Sequence, residues 1–312
     1  MGISICGYCM LHRYKTFKKV INNIRSNAKL ENVPFYSFSF KDSYNERTRR
    51  FLEQDIENLK INFIKKTIPD FIKEKDLFYN KTHIEYVRKS FPKERLNYLH
   101  MVDFVSDPST IPFINNYDLA VQFDDDSWFK SKYNFEYESF NSNINKIILT
   151  SHTYIDDTAK RTETKINFFQ TLLKYCKIHD ITPKHKLLAE AVEKEDENLF
   201  HKLSWTSCNF NVYKTFMFQN QSWKDWIAFI KSNGGIFTHR WGDQEIIGAY
   251  AYIYYEDPVI DLNLFPHIYT DKIDSENIII FRKNLIIRIL NKLKRNFNFR
   301  KLLKIIVLSR KS

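Results

Sequence analysis

Segments in which apolar residues alternate take turns along this chain with segments in which they recur every three or four positions. Near the start, "ISICGYCML" reads as a strand, and Phe17, Val20, Ile21 and Ile24 then mark one face of a helix. "VPFYSFSF" is again a strand, "NERTRRFLEQDIENL" a polar helix, and "YDLAVQF" a short apolar strand. "KIILTS", a helix near 165–178 built on Phe168, Phe169, Leu172 and Leu173, the strand "SCNFNVY" and the helix "SWKDWIAFIKS" continue the rhythm. Neighbouring parallel strands need a long crossover, and a helix is the compact way to make one. The alternation therefore predicts an α/β fold with a mixed, largely parallel central sheet and helices on both faces. With 312 residues, 43% hydrophobic and 16% aromatic, the chain has the apolar surface to fill such a core.

Composition shifts once, at about residue 277. From Asn277 to Ser312 there is no Asp or Glu, but there are eleven Lys and Arg, matching the whole formal charge of +11. The 276 residues before it carry 37 basic and 37 acidic side chains. A neutral body offers no basic surface to track a nucleic-acid backbone, so nucleic acid is not an expected partner. Two parts are read: a domain over 1–276 and a basic tail over 277–312. In the tail Ile286, Ile289, Leu290, Leu293 and Phe297 recur at helical spacing, with Arg288, Lys292, Lys294 and Arg295 opposite. This is the pattern of an amphipathic helix lying on an anionic membrane surface, or of a C-terminal helix packed on the domain with a solvated basic side.

No segment has the length and apolarity of a membrane span, and "MGISICGYCMLHRYK" lacks the basic lead of a signal peptide. The expected location is cytoplasmic, peripheral at a membrane. Cys6 and Cys9 form a lone C-x-x-C inside a strand, with no second pair to complete a zinc site. Buried reduced thiols are the expectation.

The strand "YDLAVQF" runs straight into Asp124, Asp125 and Asp126. Adjacent carboxylates repel and resist desolvation, so such a triplet is either left in water, capping a loop or helix, or held by a cation. In open α/β sheets ligands gather at the carboxyl ends of strands, where this one sits. If strand geometry persists, Asp124 and Asp126 share a face and Asp125 points the other way. Two hard carboxylates so placed suit a divalent ion with positions left for phosphate oxygens. A second dense segment is "SNGGIFTHRWGDQEIIGAYAYIYY" at 232–255. Gly234 and Gly235 read as a turn, "IFTHRW" as extended, and Gly242 and Asp243 as a helix start. An aspartate there caps the helix or, with Arg240 and Trp241, grips a sugar through a stacking ring and a bidentate acceptor.

In order along the chain, "YLHMVDF" at 98–104, "YDLAVQFDDD" at 117–126, "YNFEYESF" at 133–140, "SCNFNV" at 207–212 and "GGIFTHRWGD" at 234–243 resemble motifs of the fungal glycolipid and glycoprotein α-1,2-mannosyltransferases, a retaining glycosyltransferase family of GT-A fold. The likeness spans roughly 95–270. It implies a single GT-A-type nucleotide-sugar domain, Mn²⁺ or Mg²⁺ as cofactor, GDP-mannose as donor and a glycan or glycolipid acceptor. Asp124 matches the family's metal-binding Glu, Asp126 the Asp that closes that motif, and His267 in "LFPHIY" a histidine that completes the metal shell. Tyr98 and Asp243 match positions near the reacting sugar.

The sequence also departs from the family. Its candidate nucleophile, a Glu, is Asn211 here, and an amide forms no glycosyl ester. The Arg of one motif is Gln122, and that of another is Asp103. Three outcomes stay open: departure and attack on one face of the sugar, another carboxylate such as Asp243 or Glu245 supplying the charge, or loss of activity. The expected function is α-mannosyl transfer with retained configuration. The alternatives are a metal-dependent phosphodiesterase or nuclease using the Asp cluster, and an inactive protein that binds a nucleotide sugar or a membrane.

Overall fold

The computed structural model describes residues 2–40, 45–78, 94–155, 166–207 and 209–264. His267 and the basic tail over 277–312 lie outside the described residues. In chain order the elements are β1 (Ile5–Met10), α1 (Tyr14–Asn27), β2 (Phe35–Phe40), α2 (Glu46–Asp55), β3 (Leu59–Ile64), α3 (Glu94–Val105), β4 (Leu119–Phe123), α4 (Tyr137–Ser142), β5 (Ile148–Thr150) and β6 (Thr153–Ile155). There follow α5 (Phe168–Ile178), α6 (Lys186–Lys194), α7 (Glu197–His201), β7 (Ser204–Thr206), β8 (Phe210–Lys214), α8 (Gln221–Asn233), α9 (Gly235–His239), α10 (Asp243–Tyr254) and β9 (Val259–Asp261).

Seven strands form one sheet in the order β3-β2-β1-β4-β8-β5-β9, and β6 and β7 pair as a separate antiparallel ribbon. The β1, β2, β3 and β4 pairings and β5 with β9 are parallel, whereas β8 runs antiparallel to both β4 and β5. The expected mixed, largely parallel sheet is therefore present. Its central strands are buried on both faces, which is why β1 and β4 read as nearly continuous apolar runs.

Side-chain alternation along β1 sends Cys6, Tyr8 and Met10 to one core and Cys9 and Leu11 to the other. On the first side lie Leu99 and Val102 of α3, Trp226 of α8 and Ile246 of α10; on the second, Phe17, Ile21 and Ile24 of α1. Fully burying each of these side chains is worth about 1.5–3 kcal/mol, so the helical spacing of α1 is what fastens it to the sheet. The two thiols of the C-x-x-C face opposite ways and are free and buried, as expected. Burial pushes Cys6 up to about 12.

One stretch expected to be extended is a helix instead. The "IFTHRW" stretch holds the single turn α9, bracketed by Gly234 (φ 67) and Arg240 (φ 60), both left-handed. Gly234 closes α8 in a conformation that costs glycine little. A Cβ on Gly235 would stand 2.3 Å from the indole of Trp241, so this glycine lets that ring pack directly on the backbone. No helix among the described residues is long and apolar enough to cross a membrane.

Candidate active site

The three aspartates follow β4 at the carboxyl end of the parallel strands. The strand stops at Phe123, and Ser127 then donates its N–H to the Asp124 carbonyl at 2.9 Å, so residues 124–127 make a β-turn. Asp124 extends the ladder by one weak step, its N–H 3.4 Å from the Asn209 carbonyl. The Ser127 hydroxyl bonds the same carbonyl and ties the turn to the start of β8.

Asp125 turns inward from this turn. It is 2% exposed, and its Oδ2 accepts the backbone N–H groups of His12 and Arg13 at 2.5 and 2.6 Å. Its Oδ1 takes Arg13 Nη1 at 2.6 Å. One carboxylate thereby anchors the turn between β1 and α1. The other arm of Arg13, Nη2, lies 3.1 Å from Asp126 Oδ2. Asp126 thus shares a cation with Asp125, because the turn has ended the strand alternation by that point.

Burial holds the His12 imidazole below its ordinary value; Asp125 pulls the other way, while Arg13 and Lys66 act with burial. Lys66 beyond β3 sits 4.8 Å over the Phe40 ring, and His12 is 6.5 Å from the same ring. His12, Arg13 and Lys66 were missed by sequence reasoning. The only local signal was two basic residues directly after the first strand.

A second group lies one step down the sheet, on the α3 and α10 side. Gln122 on β4 is opposite Tyr8 on β1 and Asn211 on β8, which is opposite Thr150 on β5. The Gln122 Nε2 donates to Asp243 Oδ2 at 3.1 Å, while its Oε1 accepts from the Tyr213 hydroxyl at 2.9 Å and the Tyr8 hydroxyl at 3.5 Å. Asp243 is the first residue of α10, with Gly242 as its cap, and is 5% exposed. Burial pushes its carboxyl up to about 6, and Glu245 adds to the rise against the hydrogen bond from Gln122. Asn211 is fully buried; its amide donates to the Ser207 carbonyl at 2.6 Å, and its Oδ1 has no partner among the described residues.

Arg240 and Tyr98 meet: the guanidinium carbon lies 5.1 Å from the centre of the ring, joining α3 to the link between α9 and α10. Trp241 is not presented for stacking. Its ring is 2% exposed, packs edge-on to Phe168 at 5.2 Å, and donates its N–H to the Ile166 carbonyl at 2.9 Å. It anchors the loop that delivers Asp243.

The described residues contain no set of three His, Cys, Asp or Glu side chains able to hold a metal. What they offer is a pair of hard oxygen donors, Asp124 and Asp126, at a turn where a positive charge already binds. That donor chemistry fits Mg²⁺ or Mn²⁺ rather than a soft ion.

No family model matches the chain. A probable mannosyltransferase of Saccharomyces cerevisiae, KTR7, is 35% identical over 63 residues, which is 20% of this chain and 11% of the relative. The match thus spans about a tenth of that curated relative's length. Core-mannan synthase A (CmsA/Ktr4) from Aspergillus fumigatus, solved in a Mn/GDP form, superposes with a TM-score of 0.65 at 14% identity, covering 84% of this chain and 73% of that one. Ktr4p of S. cerevisiae in complex with GDP gives 0.63 at 14%, covering 82% and 67%. The fold is the GT-A fold of these solved structures.

Proposed function

We propose that the chain is a metal-dependent retaining glycosyltransferase that moves mannose from GDP-mannose to a hydroxyl of a glycan or glycolipid acceptor, in α linkage. The observation that carries this reading is the aspartate turn at the end of β4, set beside the β1–α1 turn, in a sheet of GT-A topology. A curated relative named as a mannosyltransferase and a neighbour solved with Mn and GDP support the donor and the metal.

Asp124 and Asp126 would hold the ion, with His267 as the expected third ligand. When bound, it supplies positive charge to the donor diphosphate and to the nucleotide as it leaves. The remaining work falls to this chain's own side chains. Asp125 fixes the backbone of His12 and Arg13, and with it the wall of the nucleotide cleft. Arg13, which bridges Asp125 and Asp126, would present its second arm to the donor phosphates. Asp243, at the start of α10, contributes a buried negative charge beside Gln122 of β4, two residues before Asp124. Such a charge favours an oxocarbenium-like sugar. Tyr98, held under Arg240, orients the acceptor side.

Asn211 closes one route. An amide has no carboxylate to offer, so double displacement through residue 211 is excluded, and the route assigned here is departure and attack on the same face of the sugar, with Asp243 supplying the charge. The basic tail is the proposed membrane contact.

Calorimetric titration with GDP-mannose, GDP, UDP and UDP-glucose, with and without Mn²⁺, tests the proposal. Mn²⁺-dependent binding of the guanine nucleotides, absent in Asp124→Ala, is expected. If no nucleotide binds with metal present, the transferase reading fails.

A further inference from the structure

A row of polar side chains crosses the middle of this sheet where apolar ones are the rule. Tyr8, Gln122, Asn211 and Thr150 are mutually opposite on β1, β4, β8 and β5, and all four are buried. A strand buried on both faces loses stability for every polar group it must satisfy internally. The row therefore calls for a reason beyond packing. Gln122 is its hub, bonded to one group on each of three other elements.

A primary amide is polar in one direction only: its nitrogen donates and its oxygen accepts. Burial raises the Tyr8 hydroxyl well above its ordinary range, so that side chain stays a phenol and a donor. With Oε1 occupied by the hydroxyls of Tyr8 and Tyr213, the NH₂ end is obliged to face Asp243. Flipping the amide would break those bonds and set an oxygen against a carboxylate oxygen. The related motifs carry Arg at this position, and an Arg would also hold Asp243 but would cancel its charge. Gln holds it with a dipole.

We propose that Gln122 is the positioning residue of this site: its amide, oriented by Tyr8 and Tyr213, fixes the Asp243 carboxylate in place while leaving its negative charge uncancelled. The inference rests on the role given to Asp243 above. The groups facing that carboxylate are Gln122 from β4, Tyr8 from β1, and Gln244 and Glu245 from its own helix, with Tyr213 of β8 one bond behind Gln122. Tyr154 of β6 in turn reaches Glu245, its hydroxyl 3.4 Å from Oε1.

The test follows the carboxyl carbon of Asp243 by NMR in the full chain, labelled at aspartate side chains. The Asp243→Asn spectrum assigns the signal, and the titration runs between about pH 4 and 8. Gln122→Met keeps the shape and removes the donor. The Asp243 midpoint is expected to rise by about one pH unit or more, tenfold in proton affinity. Tyr213→Phe does not touch Asp243, yet lets the amide turn, and a smaller rise in the same direction is expected. With GDP-mannose and methyl α-mannoside, both variants should lower kcat, Gln122→Met by about tenfold or more. The donor KM and the calorimetric Kd for GDP should hold. A Gln122→Met midpoint equal to wild type overturns the proposal, and so does a kcat loss matched by an equal loss of GDP affinity. If wild type transfers no mannose but the midpoints move as stated, the positioning by Gln122 stands and the transferase reading falls instead.

Discussion

Asp125, in the turn after β4, and Asp243, at the start of α10 against Gln122 of the same strand, are both buried, and the chain treats them in opposite ways. Asp125 meets a guanidinium and two backbone N–H groups within 2.6 Å, so its charge is matched on every side. Asp243 meets one neutral amide from the sheet, with a second carboxylate, Glu245, close by. A charge answered by a cation and backbone donors is a fastening. One left against dipoles in a dry place is costly for the fold, and such an arrangement persists where charge is put to use. The Arg13 side chain marks the border between the two regimes: it is 38% exposed, ties Asp125 inward and reaches Asp126 on the open side.

Breaking the fastening should have the largest effect. Asp125→Ala strands two backbone N–H groups and removes the partner of Arg13, so a loss of about 3 kcal/mol or more is expected in urea unfolding, together with loss of GDP binding. Asp243→Asn should behave the other way. The folded-state value, about 6, lies above the ordinary carboxylate value of 3.8. The ionised group is therefore disfavoured in the fold, and the stability it contributes is full below its unfolded value and lost as pH rises through about 6. The variant should match wild type near pH 4, gain on it as pH rises, and level off above about 7 at no more than about 3 kcal/mol. Its transfer activity should fall by about a hundredfold or more. If Asp243→Asn is less stable at neutral pH, the contrast drawn here is wrong. The smallest change expected is from Arg240→Met, which removes the cation over Tyr98 and should cost about 0.5–1 kcal/mol in the same unfolding experiment.

Much of this was legible in the sequence because apolar period is a local signal. The burial of Phe17, Val20, Ile21 and Ile24, the strand leading into the aspartates, and the helix start at Gly242 and Asp243 all appear where the pattern put them. The errors come from places where tertiary contact decides. The α9 turn is too short to show a period, and Trp241, a residue beyond its end, packs directly on Gly235 at its start. Trp241 reads as a stacking platform in isolation, but Phe168 and the Ile166 carbonyl occupy its ring and its N–H. Arg13 lies far from Asp125 in sequence, and no spacing rule links them. The antiparallel course of β8 leaves no trace in an apolar run that would read the same in either direction.

β8 lies between β4 and β5 although it is made after both. During synthesis the parallel block of β1 to β4 can close early, leaving the far edge of β4 without its neighbour until residue 210 has emerged. An open apolar edge invites pairing with another nascent chain. The three aspartates stand at the end of that edge, and charges in such places deter strand addition. They would thus guard the unfinished sheet against aggregation before they ever meet a ligand.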